Sequence, residues 1–273
     1  MVEILLSTYN GERYIREQID SILQQTYVDW HLLVRDDVST DSTVEIINQY
    51  ISKYPDKISL LPRDKNLGSM RSFEQLLKSA NATYYMFCDQ DDVWLPNKIE
   101  NALSCIRSIE TPNIPIVVFS DLQVVDENLH TIHSSFFQNA RINTSYLLRK
   151  KETLAVNNCA AGCTMLFNNE AKNLSLPFGE KAVMHDAWVL LSVLANNGII
   201  KQIQSADILY RQHGKNVCGA YSVKYNFKYI LSKINSLDSV LNVYKAIYLQ
   251  ANEIFGMNIF SFIYQRVKYL CKR

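Results

Sequence analysis

The 273-residue chain is poor in glycine and proline, with eight and six residues. It nowhere gathers glycine into a phosphate-cradling loop. No G-x-G-x-x-G follows the first strand pattern, which argues against a dinucleotide site. No G-x-x-x-x-G-K-[ST] occurs, which argues against a P-loop NTPase. Cys88, Cys105, Cys159, Cys163, Cys218 and Cys271 form no C-x-x-C pair. Cys159 and Cys163 stand four apart, but no second pair completes a zinc set. Buried, reduced thiols are the expectation, which suits a cytoplasmic protein. The N-terminus enters a strand pattern with no signal peptide before it. No uninterrupted apolar run is long enough to span a bilayer. The formal net charge is only +1, so there is no general electrostatic case for nucleic acid.

The chain is otherwise ordinary: 48% hydrophobic and 20% charged, enough for one large domain or a domain with an appendage. Tyrosine is abundant, with 16 copies, and some of these rings are expected to face a sugar, a base or a membrane interface. Charge is placed unevenly. Residues 222–273 hold eight Lys or Arg against two acids, a net of +6, while the other 221 residues hold 20 and 25, a net of −5.

The most telling stretch runs from Tyr84 to Pro96. An apolar, aromatic run, Tyr84 to Cys88, reads as a buried strand and ends in Asp89, Gln90, Asp91 and Asp92. Pro96 then marks a helix start. Strand ends of open α/β sheets are where ligands bind. Carboxylates crowded there repel unless a cation sits among them, and a divalent metal carrying a diphosphate would serve. The competing reading makes Asp91 or Asp92 a helix cap and Asp89 a turn residue.

Earlier in the chain, Val2–Leu6, His31–Val34 and Ile58–Leu61 read as strands. Helical patterns over Glu12–Gln25, from Asp41 or Ser42, and near Met70–Ala80 alternate with them. This β-α-β-α-β-α-β order predicts a mostly parallel sheet with right-handed crossovers. Ser7-Thr8-Tyr9, Asp36-Asp37 and Asp89 to Asp92 would then line one crevice. Later strands are expected at Ile116–Phe119, Leu122–Val125, Thr164–Phe167 and Ile208–Arg211. A helix opens at His185-Asp186, and helical pattern resumes from Ser222 to the end. Residues 131–158 give no clear pattern.

Five pieces occur in order over residues 1–215: Ser7-Thr8-Tyr9-Asn10-Gly11, Asp36 to Thr43, Asn66-Leu67-Gly68, Asp89 to Pro96, and His185-Asp186. Together they resemble a family 2 glycosyltransferase of the GT-A fold. The resemblance implies an α/β, Rossmann-like, mostly parallel sheet with helices on both faces and a C-terminal helical extension. It also implies a glycosyltransferase domain over 1–221, with a nucleotide-binding half to about 97 and an acceptor half from about 98, and a helical tail over 222–273. Ser7, Tyr9 and Asp37 would contact base and ribose, Asp37 accepting from a pyrimidine imide. Arg71 is a candidate for base or diphosphate, or a solvated helix residue. Asp89 and Asp91 stand at the D-x-D metal motif, with Mg²⁺ or Mn²⁺ as cofactor. Asp92 would bind donor sugar or cap the next helix. Asp186 matches the catalytic base, and a helix start favours its charged form; its rival role is a plain N-cap.

Tyr210 to Gly219 resembles a segment of the rhamnosyltransferase branch. There Arg211 would pair with phosphate and His213 would touch metal or diphosphate, unless the segment is a basic surface turn. The implied activity is inverting, metal-dependent transfer of a sugar, with dTDP-rhamnose the preferred donor and a UDP-hexose open. The acceptor would be a cell-surface or lipid-linked glycan. A nucleotidyltransferase or a catalytically silent nucleotide-sugar binder would share some of these residues. The basic, aromatic tail either packs on the domain or lies on an anionic membrane at the inner face of the cell.

Overall fold

The computed structural model describes residues 1–213 and 237–272, with backbone alone over 237–240. Parallel strands β1 (Val2–Thr8), β2 (Trp30–Asp36), β3 (Ile58–Leu60) and β4 (Tyr84–Cys88) form one half of the sheet, in spatial order β3-β2-β1-β4. Helices α1 (Ile15–Leu23), α2 (Thr43–Lys53) and α3 (Ser69–Ser79) make the crossovers. Beyond β4 come β8 (Met165–Asn168), β6 (Ile116–Val125), β9 (Ile199–Arg211) and the short β5 (Val93–Trp94), with β7 (Thr131–His133) paired to β6. β8 runs antiparallel to both β4 and β6, whereas β9 runs parallel to β6. The C-terminal ends of β1, β2, β4, β6 and β9 therefore share one sheet edge.

Strand periodicity divides the side chains between two cores. Leu5, Tyr85, Phe87, Phe119 and Phe167 point to one face, under α3, α8 (Asn169–Ser175) and α9 (His185–Ala195). Ile4, Leu6, Met86, Val118 and Leu166 point to the other, under α1, α2 and α4 (Lys98–Arg107). Two C-terminal helices, α10 (Leu237–Phe255) and α11 (Ile259–Leu270), add Ala251, Met257, Phe262 and Tyr269 to the first core.

Several boundaries differ from the sequence reading. The helix after Pro96 begins at Lys98, because the Pro96 carbonyl is turned to accept the Thr26 amide at 2.9 Å. Strand β9 is thirteen residues long, not four: it pairs with β6 along its length, with register shifts, and near its end also with β5, so tertiary pairing overrides the polar Lys201-Gln202 and Gln204-Ser205. The two pieces expected at 116–125 are one strand, with irregular register on both sides of Asp121. Residues 131–158 hold β7 and three short helices, α5 (Phe136–Asn139), α6 (Thr144–Leu147) and α7 (Lys151–Ala155). The domain boundary at 221/222, the 214–219 part of the rhamnosyltransferase-like segment, and Phe227, Tyr229, Ile230 and Ile234 of the tail lie outside the described residues.

Candidate active site

The first strand ends are tied by their own side chains. Asn10 is left-handed (φ 48°), a conformation Asn tolerates, and its amide donates to Ser39 Oγ at 2.8 Å. Its Oδ1 accepts the Thr40 amide, while the Gly11 amide donates to Thr43 Oγ1. The loops after β1 and β2 thus form one unit. Gln90 joins it to the acidic stretch: Oε1 accepts the Tyr9 amide at 2.9 Å and Nε2 donates to the Tyr9 carbonyl at 3.1 Å. A Cβ on Gly11 would lie 2.2 Å from Gln90 Oε1, so this clasp requires glycine there. Ser7 is half-buried beneath, and the Tyr9 ring is exposed.

Asp37 is buried and heavily committed. Oδ1 accepts from Arg35 Nη1 at 2.6 Å and from the Leu67 amide at 2.7 Å, and Oδ2 accepts the Gly68 amide at 2.8 Å. Burial raises the cost of its charge, but donors from Arg35, Leu67, Gly68 and Ser72 outweigh this and hold the carboxyl below its usual range. A carboxylate offers about four acceptor directions, and four donors already claim them. The structure therefore gives Asp37 the task of shaping the Asn66-Leu67-Gly68 turn and leaves little capacity for a pyrimidine imide. Arg71 is also drawn elsewhere. It pairs with Glu74 at 2.6 Å and donates to the carbonyls of Phe178 and Gly179, tying α3 to the segment before α9 instead of reaching the strand-end cluster.

The acidic cluster lies at the end of β4. Ligand atoms of Asp89, Asp92 and Cys163 all fall within 4.8 Å of one another. The sequence reading paired Asp89 with Asp91; the structure instead groups Asp89 with Asp92, because Asp91 Oδ2 is held at 2.7 Å by His213 Nε2. The His213 ring stacks on Tyr14 with centroids 4.9 Å apart. Burial first, then the charges of Asp91 and Asp186, pushes Asp89 up to about 7. Burial, with Asp91 and Asp89, raises Asp92 well above the carboxylate range. Burial, with Asp92 and Asp89 beside it, likewise drives the Cys163 thiol up. Lys98, buried against the Trp94 ring, is lowered by desolvation to about 8.

Arg211 is turned into the protein instead of standing in an exposed basic turn. It is 2% exposed, and its Nε donates to the Asp91 carbonyl at 2.9 Å, Nη1 to the Glu127 carbonyl at 2.7 Å and Nη2 to Glu17. Its amide donates to Asp92 Oδ1 at 3.2 Å, and its guanidinium lies 4.6 Å from the Tyr14 ring centroid. The end of β9 thereby clamps the backbone of the acidic stretch, a role that a basic residue before a polar turn did not reveal in sequence.

A hard divalent cation takes carboxylate oxygens. Asp89 and Asp92, grouped at the end of β4, carry such oxygens, and Asp91 stands between them in the chain. The buried Oδ2 of Asp92 finds no hydrogen-bond partner, and Cys163 beside it is held as a thiol, not the thiolate a soft metal needs. The donor set thus fits Mg²⁺ or Mn²⁺ and does not fit zinc.

Asp186 enters from the other face. It is the second residue of α9; its Oδ2 accepts the Gly162 amide at 3.1 Å and its Oδ1 the Ala187 amide at 2.6 Å. It does not cap the helix: the N-cap is Met184. Burial pushes its carboxyl up to about 6, against the pull of those amides. Its neighbour His185 is buried with both ring nitrogens unpaired, stacked 3.9 Å from Phe73 and edge-on to Phe87 at 4.6 Å. Burial lowers this imidazole to about 3. A Cβ on Gly162 would meet His185 Nε2 at 2.4 Å, so glycine is required between ring and carboxylate. Asp186 opens onto a cavity of about 190 Å³ that is walled mostly by apolar side chains, Leu154, Val183 and Leu190 among them. Ile247 and Gln250 of α10 close it. Sequence reading missed Gln90, Cys163, Gly162, Tyr14 and Glu17 as working parts of the site; only Gly162 carried a signal, as an isolated small residue before a strand pattern.

A family model described as "Glycosyl transferase family 2" matches residues 3–172. The chain is 31% identical over 235 residues to the dTDP-rhamnosyl transferase RfbG of Shigella flexneri, covering 82% of this chain and 76% of that one. It is 30% identical over 201 residues to the UDP-Glc:alpha-D-GlcNAc-diphosphoundecaprenol beta-1,3-glucosyltransferase WfgD of Escherichia coli, covering 73% and 72%. Among solved structures, residues 1–349 of TarS from S. aureus, in complex with UDP-GlcNAc, superpose with a TM-score of 0.62 at 18% identity, over 98% of this chain and 71% of that one. The mannosyltransferase PcManGT of Pyrobaculum calidifontis, in complex with GDP-Man and Mn²⁺, gives 0.58 at 16% identity, over 99% and 74%.

Proposed function

The chain belongs to glycosyl transferase family 2 and has the GT-A fold, and from that premise we propose that it is an inverting, metal-dependent enzyme transferring L-rhamnose from dTDP-rhamnose to a glycan hydroxyl. The observation that carries the chemistry is Asp186. It is an ionisable carboxylate raised to about 6, anchored by two backbone amides at the mouth of a cavity and near enough to Asp89 to raise that group's proton affinity. A base with a pKa just below neutrality is ionised at working pH yet still binds a proton well. In a single displacement, the acceptor oxygen attacks the anomeric carbon, its proton passes to Asp186, and the bond to the diphosphate breaks. Bound between Asp89 and Asp91, Mg²⁺ or Mn²⁺ would supply counter-charge for the leaving diphosphate. His213 orients Asp91, Asp92 supports the stretch from behind, and Arg211 fixes its backbone. Ser7 and the exposed Tyr9 ring line the nucleotide end, where Asp37 acts by holding the Asn66-Leu67-Gly68 turn.

The rhamnosyltransferase relative, aligned over most of the chain, favours dTDP-rhamnose. The glucosyltransferase relative supports a UDP-glucose donor as the second reading. Its name includes a diphosphoundecaprenol-linked acceptor, in line with a lipid-linked glycan met at the inner face of the cell membrane.

A thermal-shift panel of dTDP-rhamnose, UDP-glucose and UDP-GlcNAc with Mn²⁺ tests the donor. Ligand at a hundred times its Kd adds about 2.7 kcal/mol to stability, so the largest shift should come from dTDP-rhamnose. Donor turnover should vanish with excess chelator and in Asp91→Ala. A shift without any turnover would identify a silent binder, and full turnover in chelator would remove the metal.

A further inference from the structure

The two C-terminal helices are fastened to the domain by one side only. Gln250 Oε1 accepts the Val183 amide at 2.7 Å, and Glu253 Oε2 accepts the Lys181 amide at 3.1 Å. On α11, Phe262 and Tyr269 are buried, and Arg266 donates to the Val156 carbonyl, to Asn157 and to Tyr244. Among the described residues, the opposite face of α11 is apolar and exposed. Phe260 is 82% exposed, and Ile263, Tyr264, Val267 and Leu270 are each exposed by half or more. Their spacing of three and four residues makes one continuous stripe. Scattered apolar residues on a surface are ordinary, but five on one face of a twelve-residue helix are not.

The charge around the stripe selects its partner. From Ile254 to Arg273 the sequence has no acid, while Lys268 and Lys272 are basic; Arg266 is turned toward the domain. Lys268 and Lys272 are exposed. A two-fold contact with a second copy would set this cationic face against itself with no acid in the segment to pair. An anionic lipid surface complements it: the apolar stripe enters the headgroup boundary, Phe260 and Tyr264 sit at the depth aromatic rings favour, and the lysines meet lipid phosphates.

We propose that the outward face of α11 docks this protein on an anionic lipid surface. The packing and membrane readings of the tail then apply to opposite faces of the same helices. Because Ile247 and Gln250 of α10 wall the cavity at Asp186, docking through α11 holds that cavity close to the bilayer. The inference takes from the proposed function only the location of the acceptor; its test measures binding, not transfer, so the two can fail separately.

The test is flotation of the full chain with vesicles of phosphatidylcholine alone and of phosphatidylcholine mixed with phosphatidylglycerol. The wild type should float with the anionic vesicles, stay down with the neutral ones, and be released by salt. The double variant F260E/V267E, whose sites touch solvent, should keep the wild-type melting temperature and lose at least about a hundredfold in partitioning. Failure of the wild type to float, equal flotation with neutral vesicles, or unchanged flotation of the variant would each overturn the proposal. So would a dimer seen by light scattering that the variant abolishes while flotation is absent.

Discussion

Replacing Asp186 by Asn should slow transfer and stabilise the fold together, a pairing that only a buried, ionised base produces. Desolvation pushes the carboxyl of this half-buried residue up to about 6 in the folded protein, against an ordinary 3.8. At ~1.36 kcal/mol per pH unit, keeping it ionised at neutral pH costs the fold about 3 kcal/mol. The sign follows from proton uptake. Below about pH 4 both states are protonated and there is no penalty; between about pH 4 and 6 the unfolded chain ionises first; above 6 the penalty is complete. Asn cannot ionise but accepts through one oxygen, so it forfeits one of the hydrogen bonds from Gly162 and Ala187, worth about 1 kcal/mol. The variant should therefore be more stable than wild type by about 2 kcal/mol at pH 7.5 and lose that advantage near pH 4. Urea unfolding across this range, without added divalent cation, reads the difference. Transfer should fall by about 10²–10⁴ with donor affinity unchanged. In the wild type, log kcat should drop by one per pH unit below about 6, and this limb should be absent from the residual activity of the variant. Near-wild-type transfer would refute the base assignment. Loss of donor binding would move Asp186 into the donor site, and an unchanged stability difference across pH would refute burial as the origin of its proton affinity.

Gly162→Ala should put a methyl 2.4 Å from His185 Nε2, where the ring cannot retreat because Phe73 stacks behind it. A stability loss of about 1–3 kcal/mol is expected, with lower kcat and unaltered donor affinity; steady-state kinetics and melting at wild-type values would show the site has slack. Gln90→Leu removes both bonds to the Tyr9 backbone and should weaken donor binding several-fold, at about 0.5–1.5 kcal/mol per bond. Calorimetric titration with the donor nucleotide would detect it, and unchanged affinity would detach the clasp from the nucleotide end.

The alternation of strands and helices through residue 88 was legible because each carries its own period, two or 3.6, and needs no partner to display it. The order of chemical groups from Ser7 through Asp36 to Asp89 was legible for a similar reason: parallel strands bring their C-terminal ends to one edge of the sheet. What the side chains do there was not. Asp37 and Arg71 look free in sequence, but their partners come from turns and loops about 30 and 107 residues away, so only the tertiary fold decides that both are engaged. Arg211 looked like an exposed phosphate ligand until β9 carried it against Glu17 and the carbonyl groups of Asp91 and Glu127. The pairing of Asp91 with His213 and of Asp89 with Asp92 is a matter of ångströms that no spacing encodes. The proton affinity of Asp186 arises from desolvation in the packed molecule, where Gly162 and other residues distant in the chain close around it, and burial is not a property of the sequence order.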